Sequence, residues 1–179
     1  MGKTVILAFL LVIIIAPASY AEPFGVGVFG GVLYPIVQED QASGYLTGVR
    51  VRVNLPGPLA LEPNLTIGGY GDAEIVGVGK RAGSSIKHYG VDLILGGGLA
   101  TVGPKPYLLL GGAVYNTKRD GDETTNKSGW SLGLGVALGL TSYLDVDVRG
   151  RANIVSSEGS ASKKSVEVTA GVTYYFGAM

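Results

Sequence analysis

The residue best suited to acid–base chemistry is His88, the only histidine in the 179-residue chain. Histidine titrates near neutral pH and acts as a general base when a hydroxyl or carboxylate lies within hydrogen-bonding distance. Asp92 is four residues away, which along a β-strand is ~13 Å at ~3.3 Å per residue, too far for a direct contact. Ser84 and Ser85 fall at the end of the same predicted strand. The sequence therefore predicts no catalytic residue, and His88 is expected to form hydrogen bonds inside the fold.

A second candidate for chemistry is the charged stretch from Lys118 to Glu123, whose Asp-Gly-Asp-Glu segment could bind calcium. It lacks the spaced ligands and the terminal glutamate of an EF-hand loop, so a solvated turn is favoured. The glycines Gly96 to Gly98 stand at a strand end without the helix that a phosphate-binding loop requires. Because the chain also has no cysteine, the sequence predicts neither a metal site nor a cofactor.

The amino-terminal segment has the three parts of a secretory signal peptide: Lys3, the apolar run 5–16 and Ser19-Tyr20-Ala21. The apolar run is well short of the ~20 residues of a membrane-spanning helix. We expect a cleaved signal peptide at 1–21 and a single mature domain at 22–179. Lysines plus arginines equal aspartates plus glutamates at 14 each, which argues against a nucleic-acid partner.

Apolar and polar side chains alternate with period two through the rest of the chain, most clearly from Tyr143 to Ile154. Beyond Ala21 no segment offers ~18 apolar residues in a row, which excludes a helical membrane span. The predicted strands are longer than the ~5–6 residues usual in globular proteins and suit the ~9–11 residues that cross a bilayer at a tilt. These strands lie near 24–34, 45–55, 59–70, 84–97, 105–116, 128–140, 142–154 and 164–176.

The connections between these strands alternate in length. Polar loops follow the first, third, fifth and seventh strands, at 35–44, 71–83, 117–127 and 156–163. Short turns lie at 56–58, 101–104 and 141–142. Long loops on one rim and tight turns on the other are typical of outer-membrane barrels. The sequence thus predicts an all-β fold, an eight-stranded antiparallel up-and-down transmembrane β-barrel.

Aromatic residues cluster toward the ends of the predicted strands, as expected for girdles at the two water interfaces. Toward the long-loop rim fall Tyr34, Tyr45, Tyr70, Tyr89, Tyr115 and Trp130, and toward the turn rim fall Phe24, Tyr107, Tyr143, Tyr174 and Phe176. The facing of the strand at 105–116 stays open, because either Tyr107 and Leu109 or Leu108 and Leu110 could contact lipid.

Charged side chains occupy one face of the predicted strands, which a closed ring turns inward. Eight strands enclose a space that side chains nearly fill, so no open aqueous channel is expected. Four arginines against five carboxylates can neutralise one another, whereas an unpaired buried charge would cost several kcal/mol. The predicted lumen charge network is Arg50, Arg52, Glu62, His88, Asp92, Asp145, Asp147, Arg149, Arg151 and Glu167.

The carboxyl-terminal strand carries a pattern of polar residue, glycine and two aromatic residues at Thr169, Gly171, Tyr174 and Phe176. In this respect the chain resembles the eight-stranded outer-membrane barrels of the OmpA and OmpX type, although Phe176 is followed by Gly177-Ala178-Met179 where that class usually ends on the aromatic residue. The resemblance implies residence in the outer membrane, contact with outer-membrane lipids and lipopolysaccharide, and recognition of the pattern by the barrel-assembly machinery.

Three functions fit this architecture. The favoured one is a non-enzymatic barrel that serves membrane structure, or binds an unknown surface ligand through its long polar loops. The first alternative is an enzyme that modifies lipid A, since some barrels similar to this one are deacylases or acyltransferases built around histidine and serine. No His-x-Ser arrangement of the deacylase kind is present. The second alternative, a narrow pore, requires the interior ion pairs to open.

Overall fold

The computed structural model describes residues 24–36, 42–75, 79–96, 102–119, 124–156 and 162–177. The predicted signal peptide at 1–21 lies outside the described residues. No helix within these ranges is long and apolar enough to cross a membrane. The strands are β1 (Phe24–Pro35), β2 (Ala42–Asn54), β3 (Leu59–Gly71), β4 (Ala73–Ile75), β5 (Gly79–Arg81), β6 (Ser84–Gly96), β7 (Gly103–Arg119), β8 (Thr125–Thr141), β9 (Leu144–Val155) and β10 (Lys163–Phe176).

Eight of these strands form a closed antiparallel barrel in the ring order β1, β2, β3, β6, β7, β8, β9, β10, so the predicted fold is confirmed. The ring closes between its first and last strands, where Phe24 pairs with Phe176. Following the registers once around the ring returns to β1 about ten residues away, a stagger that tilts the strands steeply against the barrel axis. This tilt and the barrel's width set which side chains meet across the interior.

The barrel is inverted relative to a water-soluble protein, with apolar side chains outside and charged side chains inside. On β8 the side chains of Trp130, Leu132, Leu134, Val136, Leu138 and Leu140 are 46–64% exposed. Between them, glycine, serine and alanine face the interior. Because successive side chains of a strand point to opposite faces, one alternating sequence supplies both a surface for hydrocarbon and a polar interior.

The structure differs from the sequence predictions at several strand ends. The loop predicted at 71–83 contains a separate hairpin of β4 and β5. β7 and β8 each run for 17 residues, because their ladder continues past the predicted rim to Thr117 and Thr125. β7 already begins at Gly103, which pairs with Gly139 of β8, so part of the turn predicted at 101–104 is strand.

The structure settles which way β7 faces. Tyr107, Leu109 and Tyr115 are buried in the interior, while Leu108 and Leu110 are each 54% exposed on the lipid side. Assigning Tyr107 and Tyr115 to the aromatic girdles was therefore wrong. Both hydroxyls have polar partners inside the barrel, which explains why these two rings point away from lipid. Tyr70, also assigned to a girdle, lines a cavity at the loop end of the interior.

Candidate functional site

The ten side chains predicted for the charged interior are all buried, and none is more than 6% exposed. They project from β2, β3, β6, β9 and β10, at the inward positions of the alternating pattern. The interior is therefore the main candidate site, and its geometry decides whether it conducts, catalyses or fills space.

Glu62 on β3 lies at the centre of the interior and is 0% exposed. Arg52 donates from Nε to Oε2 of this carboxylate over 2.7 Å and also from Nη2. Arg149 donates from Nη1 to Oε1 over 2.5 Å. One carboxylate thus binds guanidinium groups from two strands that are separated around the ring.

Asp147 on β9 forms the second half of this central cluster. Both terminal nitrogens of Arg50 donate to its two oxygens, the Nη1 to Oδ2 bond measuring 3.2 Å. Arg149 donates to Oδ2 from Nη2 over 3.1 Å, and the hydroxyl of Tyr107 donates to the same oxygen over 2.6 Å. Three arginines therefore share two carboxylates, which leaves the central cluster with an excess of one positive charge.

Aromatic rings lie against the faces of these arginines. The guanidinium carbon of Arg50 lies 5.6 Å from the ring centre of Phe29. Arg52 and Arg149 lie 5.7 Å and 5.6 Å from the ring centre of Tyr107. A cation over an aromatic face is attracted by the ring's quadrupole, more strongly where water is excluded. Tyr107 therefore stabilises the central cluster in two ways, since its hydroxyl donates a hydrogen bond to Asp147 and its ring makes cation–π contacts with Arg52 and Arg149.

A second cluster, nearer the loop rim, is built around Arg151. Its Nε and Nη2 donate to Glu167 Oε2 over 3.0 and 2.7 Å, and its Nη1 donates to Asp92 Oδ2 over 3.1 Å. Asn64 donates to the same Asp92 oxygen. His88 Nε2 lies 3.1 Å from Arg151 Nη2, and since a guanidinium only donates, this nitrogen accepts. The cluster holds one more carboxylate than arginines, which balances the excess of the central cluster.

Lys105 completes the charge balance and was not predicted. This lysine is 4% exposed, and its Nζ lies 2.7 Å from both carboxylate oxygens of Asp145 near the turn rim. The interior charges named here are therefore five cations against five carboxylates, not the four arginines against five carboxylates counted from the sequence. The signal that could have identified Lys105 is its alternation with Tyr107 and Leu109, which required the facing of β7 to be known.

Small residues on neighbouring strands make room for these large side chains. A β-carbon added at Gly135 on β8 would lie 2.5 Å from the ring of Tyr107. One added at Gly171 on β10 would lie 2.8 Å from Arg50 Nη2. Between the central cluster and the Arg151 cluster a cavity of about 10 Å³ remains, room for about one water molecule. The charged side chains thus form a plug across the barrel.

At the loop end the interior widens into a cavity of about 40 Å³, which we call the mouth cavity. Leu33, Leu46, Tyr70 and Ile86 line one side, and Lys127 and Lys163 are among the residues on the other. Its floor includes His88 and Glu167, so it lies directly above the Arg151 cluster.

The residues of the carboxyl-terminal pattern divide between the two faces of β10. Thr169 and Gly171 point inward and are buried, whereas Tyr174 and Phe176 are 45% and 46% exposed on the lipid side. The ring of Phe176 stacks on Phe24 of β1 with 5.1 Å between centroids, and Tyr174 meets it edge-on at 4.9 Å. The two aromatic residues therefore lie at the seam where the barrel closes.

Comparisons with known proteins agree with this architecture. A family model described as outer membrane protein beta-barrel domain matches residues 5–176. No curated protein sequence matches the chain. Neisserial surface protein A has a similar structure, with a TM-score of 0.65 and 18% identity over 86% of this chain and 97% of that one. The amino-terminal barrel of Pseudomonas aeruginosa OprF gives 0.58 and 18% over 86% and 97%. Ail of Yersinia pestis gives 0.50 and 16% over 87% and 100%.

Proposed function

Since this chain belongs to the family of outer membrane protein beta-barrel domains and resides in the outer membrane, we propose that it works there as a non-enzymatic, non-conducting barrel. In this proposal the charged interior stabilises the barrel, and the loop rim meets partners at the cell surface. The single observation that carries the proposal is the plug of paired charges across the barrel.

The plug supports a closed barrel on grounds of size and of energy. The cavity of about 10 Å³ between its two clusters has no room for a hydrated ion. Opening a passage would require breaking pairs such as Arg151 with Glu167, and exposing one buried charge without its partner costs ~3–5 kcal/mol. That cost keeps an open state rare at equilibrium.

Conductance in planar bilayers tests the closed barrel. Purified, refolded protein is expected to give no single-channel steps, while the Arg149→Ser/Arg151→Ser variant, which removes one guanidinium from each cluster, is expected to give small steps. The band shift of unboiled samples on a gel confirms that both proteins are folded. Single-channel steps from the unaltered protein would refute the closed barrel, and a folded variant without steps would show that these arginines are not what closes it.

The absence of enzymatic activity is a separate part of the proposal. His88 is 2% exposed and faces Arg151 within the interior, an environment that suits a hydrogen-bonding role. Lipid A mass spectra from cells with and without the protein, and with His88→Ala, provide the test. We expect identical spectra in all three strains. A change in lipid A that requires His88 would replace the proposal with an enzyme.

The proposal also covers biogenesis and surroundings. We assign outer-membrane lipids and lipopolysaccharide to the exposed apolar face, and the barrel-assembly machinery to the pattern Thr169, Gly171, Tyr174 and Phe176. What supports the second assignment is position, because Tyr174 and Phe176 lie exposed on the strand that closes the ring. We also propose that the long polar loops bind a ligand at the cell surface.

A further inference from the structure

Two buried oxygen atoms in the middle of the barrel have no hydrogen-bond partner in the protein. They are Oδ1 of Asn64 on β3 and Oγ1 of Thr169 on β10, residues that are 3% and 4% exposed. Both residues line the cavity of about 10 Å³ between the central cluster and the Arg151 cluster, which we call the inner cavity. A buried polar atom without a partner destabilises a fold, so a molecule that bonds to both atoms would stabilise this one.

The contacts of Asn64 fix which end of its amide lacks a partner. Its Nδ2 donates to the backbone oxygen of Glu62 over 3.2 Å and to Asp92 Oδ2 over 3.1 Å. A backbone oxygen only accepts, so the amide nitrogen has to face it, and Oδ1 is left as an acceptor that needs a donor. The hydroxyl of Thr169 can donate or accept. The two atoms together therefore need a molecule that donates at one point and donates or accepts at another.

The remaining lining of the inner cavity decides what this molecule is. It carries both signs of charge, from the guanidinium groups of Arg149 and Arg151 and from the carboxylates of Glu62, Asp92 and Glu167. A metal cation there would lie beside two guanidinium groups, and an anion would lie beside three carboxylates. An uncharged molecule that both donates and accepts avoids the two conflicts. A volume of about 10 Å³ has room for one water molecule and for nothing larger.

We infer that the plug contains one ordered water molecule, bound between Asn64 and Thr169. The water donates to Asn64 Oδ1 and forms a second hydrogen bond with Thr169 Oγ1. Buried waters of this kind make about two to four hydrogen bonds to groups that would otherwise lack a partner. This water links β3 to β10, which are not neighbours in the ring, and lies between the two charge clusters. Thr169, predicted as part of the carboxyl-terminal pattern, thereby has a second role inside the folded barrel.

Water reaches this site from the loop end of the barrel. Glu167 lines both the inner cavity and the mouth cavity above it. The hydroxyl oxygen of Thr66, which also has no partner in the protein, lines the mouth cavity, so this cavity favours water as well. On the turn side, buried apolar side chains occupy the interior, namely Ala60, Ile94, Tyr107, Leu109 and Ala137. The bound water therefore exchanges through the loop end, and slowly, because charged side chains of the plug must move to release it.

Crystallography and oxygen-17 magnetic relaxation of the refolded protein test this inference. The crystal structure of the unaltered protein is expected to show one water within hydrogen-bonding distance of both Asn64 Oδ1 and Thr169 Oγ1. Magnetic relaxation counts long-lived waters in detergent solution. Thr169→Val, which keeps the shape of the side chain but removes the hydroxyl, should hold one long-lived water fewer than the unaltered protein. Thr169→Ser, the matched control that keeps the hydroxyl, should hold the full number.

Three results would overturn the inference. The first is a dry inner cavity, or a metal ion in it, in the crystal structure of the unaltered protein. The second is an equal number of long-lived waters in Thr169→Val and the unaltered protein, and the third is an equal loss in Thr169→Ser. The crystal structure of the unaltered protein decides the question even if the valine variant does not fold.

Discussion

Replacing Glu62 with glutamine tests most directly whether the plug stabilises the barrel through its charges. The change keeps the shape of the side chain but removes the charge that binds Arg52 and Arg149. The amide also turns N–H donors toward guanidinium groups that can only donate. Because Glu62 is 0% exposed, bulk water does not reach its side chain, and we expect a loss of ~3–5 kcal/mol.

Urea unfolding in lipid vesicles measures this loss, and Trp130 reports the transition. It is the only tryptophan and is 50% exposed on the lipid face, so its emission changes when the barrel leaves the membrane. With a slope of ~1–3 kcal/mol per molar urea, the midpoint should fall by about 1–5 M.

The matched control also removes one of the two partner charges, that of Arg52. Arg52→Met/Glu62→Gln should recover part of the stability, because a buried pair replaced as a unit costs less than a broken one. A midpoint for Glu62→Gln equal to that of the unaltered protein would mean that packing alone, without charge pairing, holds the interior together.

Three further substitutions test other parts of the structure. Gly135→Ala should cost ~1–3 kcal/mol in the same urea assay by pushing against the ring beside it, whereas Gly150→Ala, whose β-carbon would meet nothing within 4 Å, should be nearly neutral. Leu134 lies in the middle of β8 and is 64% exposed on the lipid side, so Leu134→Arg should cost ~2–4 kcal/mol, and a neutral result would contradict the lipid-facing assignment of β8. Phe176→Ala should slow assembly in cells more than Phe24→Ala, which removes the same stacked pair; equal rates, measured by pulse-chase and gel shift, would show that the ring serves only to stack.

The amount that sequence could predict differs from strand to strand. In β9 aspartate and arginine residues alternate with leucine, valine and glycine, so only one face of the strand can contact lipid. The structure confirms this, because Asp145, Asp147, Arg149 and Arg151 are buried in the interior. In β7 apolar residues occupy both faces. Which face of β7 points inward depends instead on partners from other strands. The main one is Asp147, 40 residues away in sequence, which accepts a hydrogen bond from the hydroxyl of Tyr107.

The pairing inside the barrel could not be predicted for a related reason. The alternation of polar and apolar residues in β9 predicts that Arg149 points inward. It does not predict that Arg149 contacts Glu62, which is 87 residues away in sequence. That contact depends on the stagger accumulated around the whole ring, a property of all eight registers together. The mouth cavity is missing from the sequence prediction for the same reason, since its two walls come from strands far apart in the chain.

The seam between β1 and β10 imposes an order on biogenesis. The strand that begins at Phe24 finds one of its two neighbours only in the final strand, which ends at Phe176. Until synthesis of those last residues is complete, any partial ring has two unpaired edges, and open edges invite pairing with other chains. An incomplete ring is therefore prone to pair with other chains, and its closure depends on contacts between β1 and β10, which lie far apart in sequence and so make folding slow.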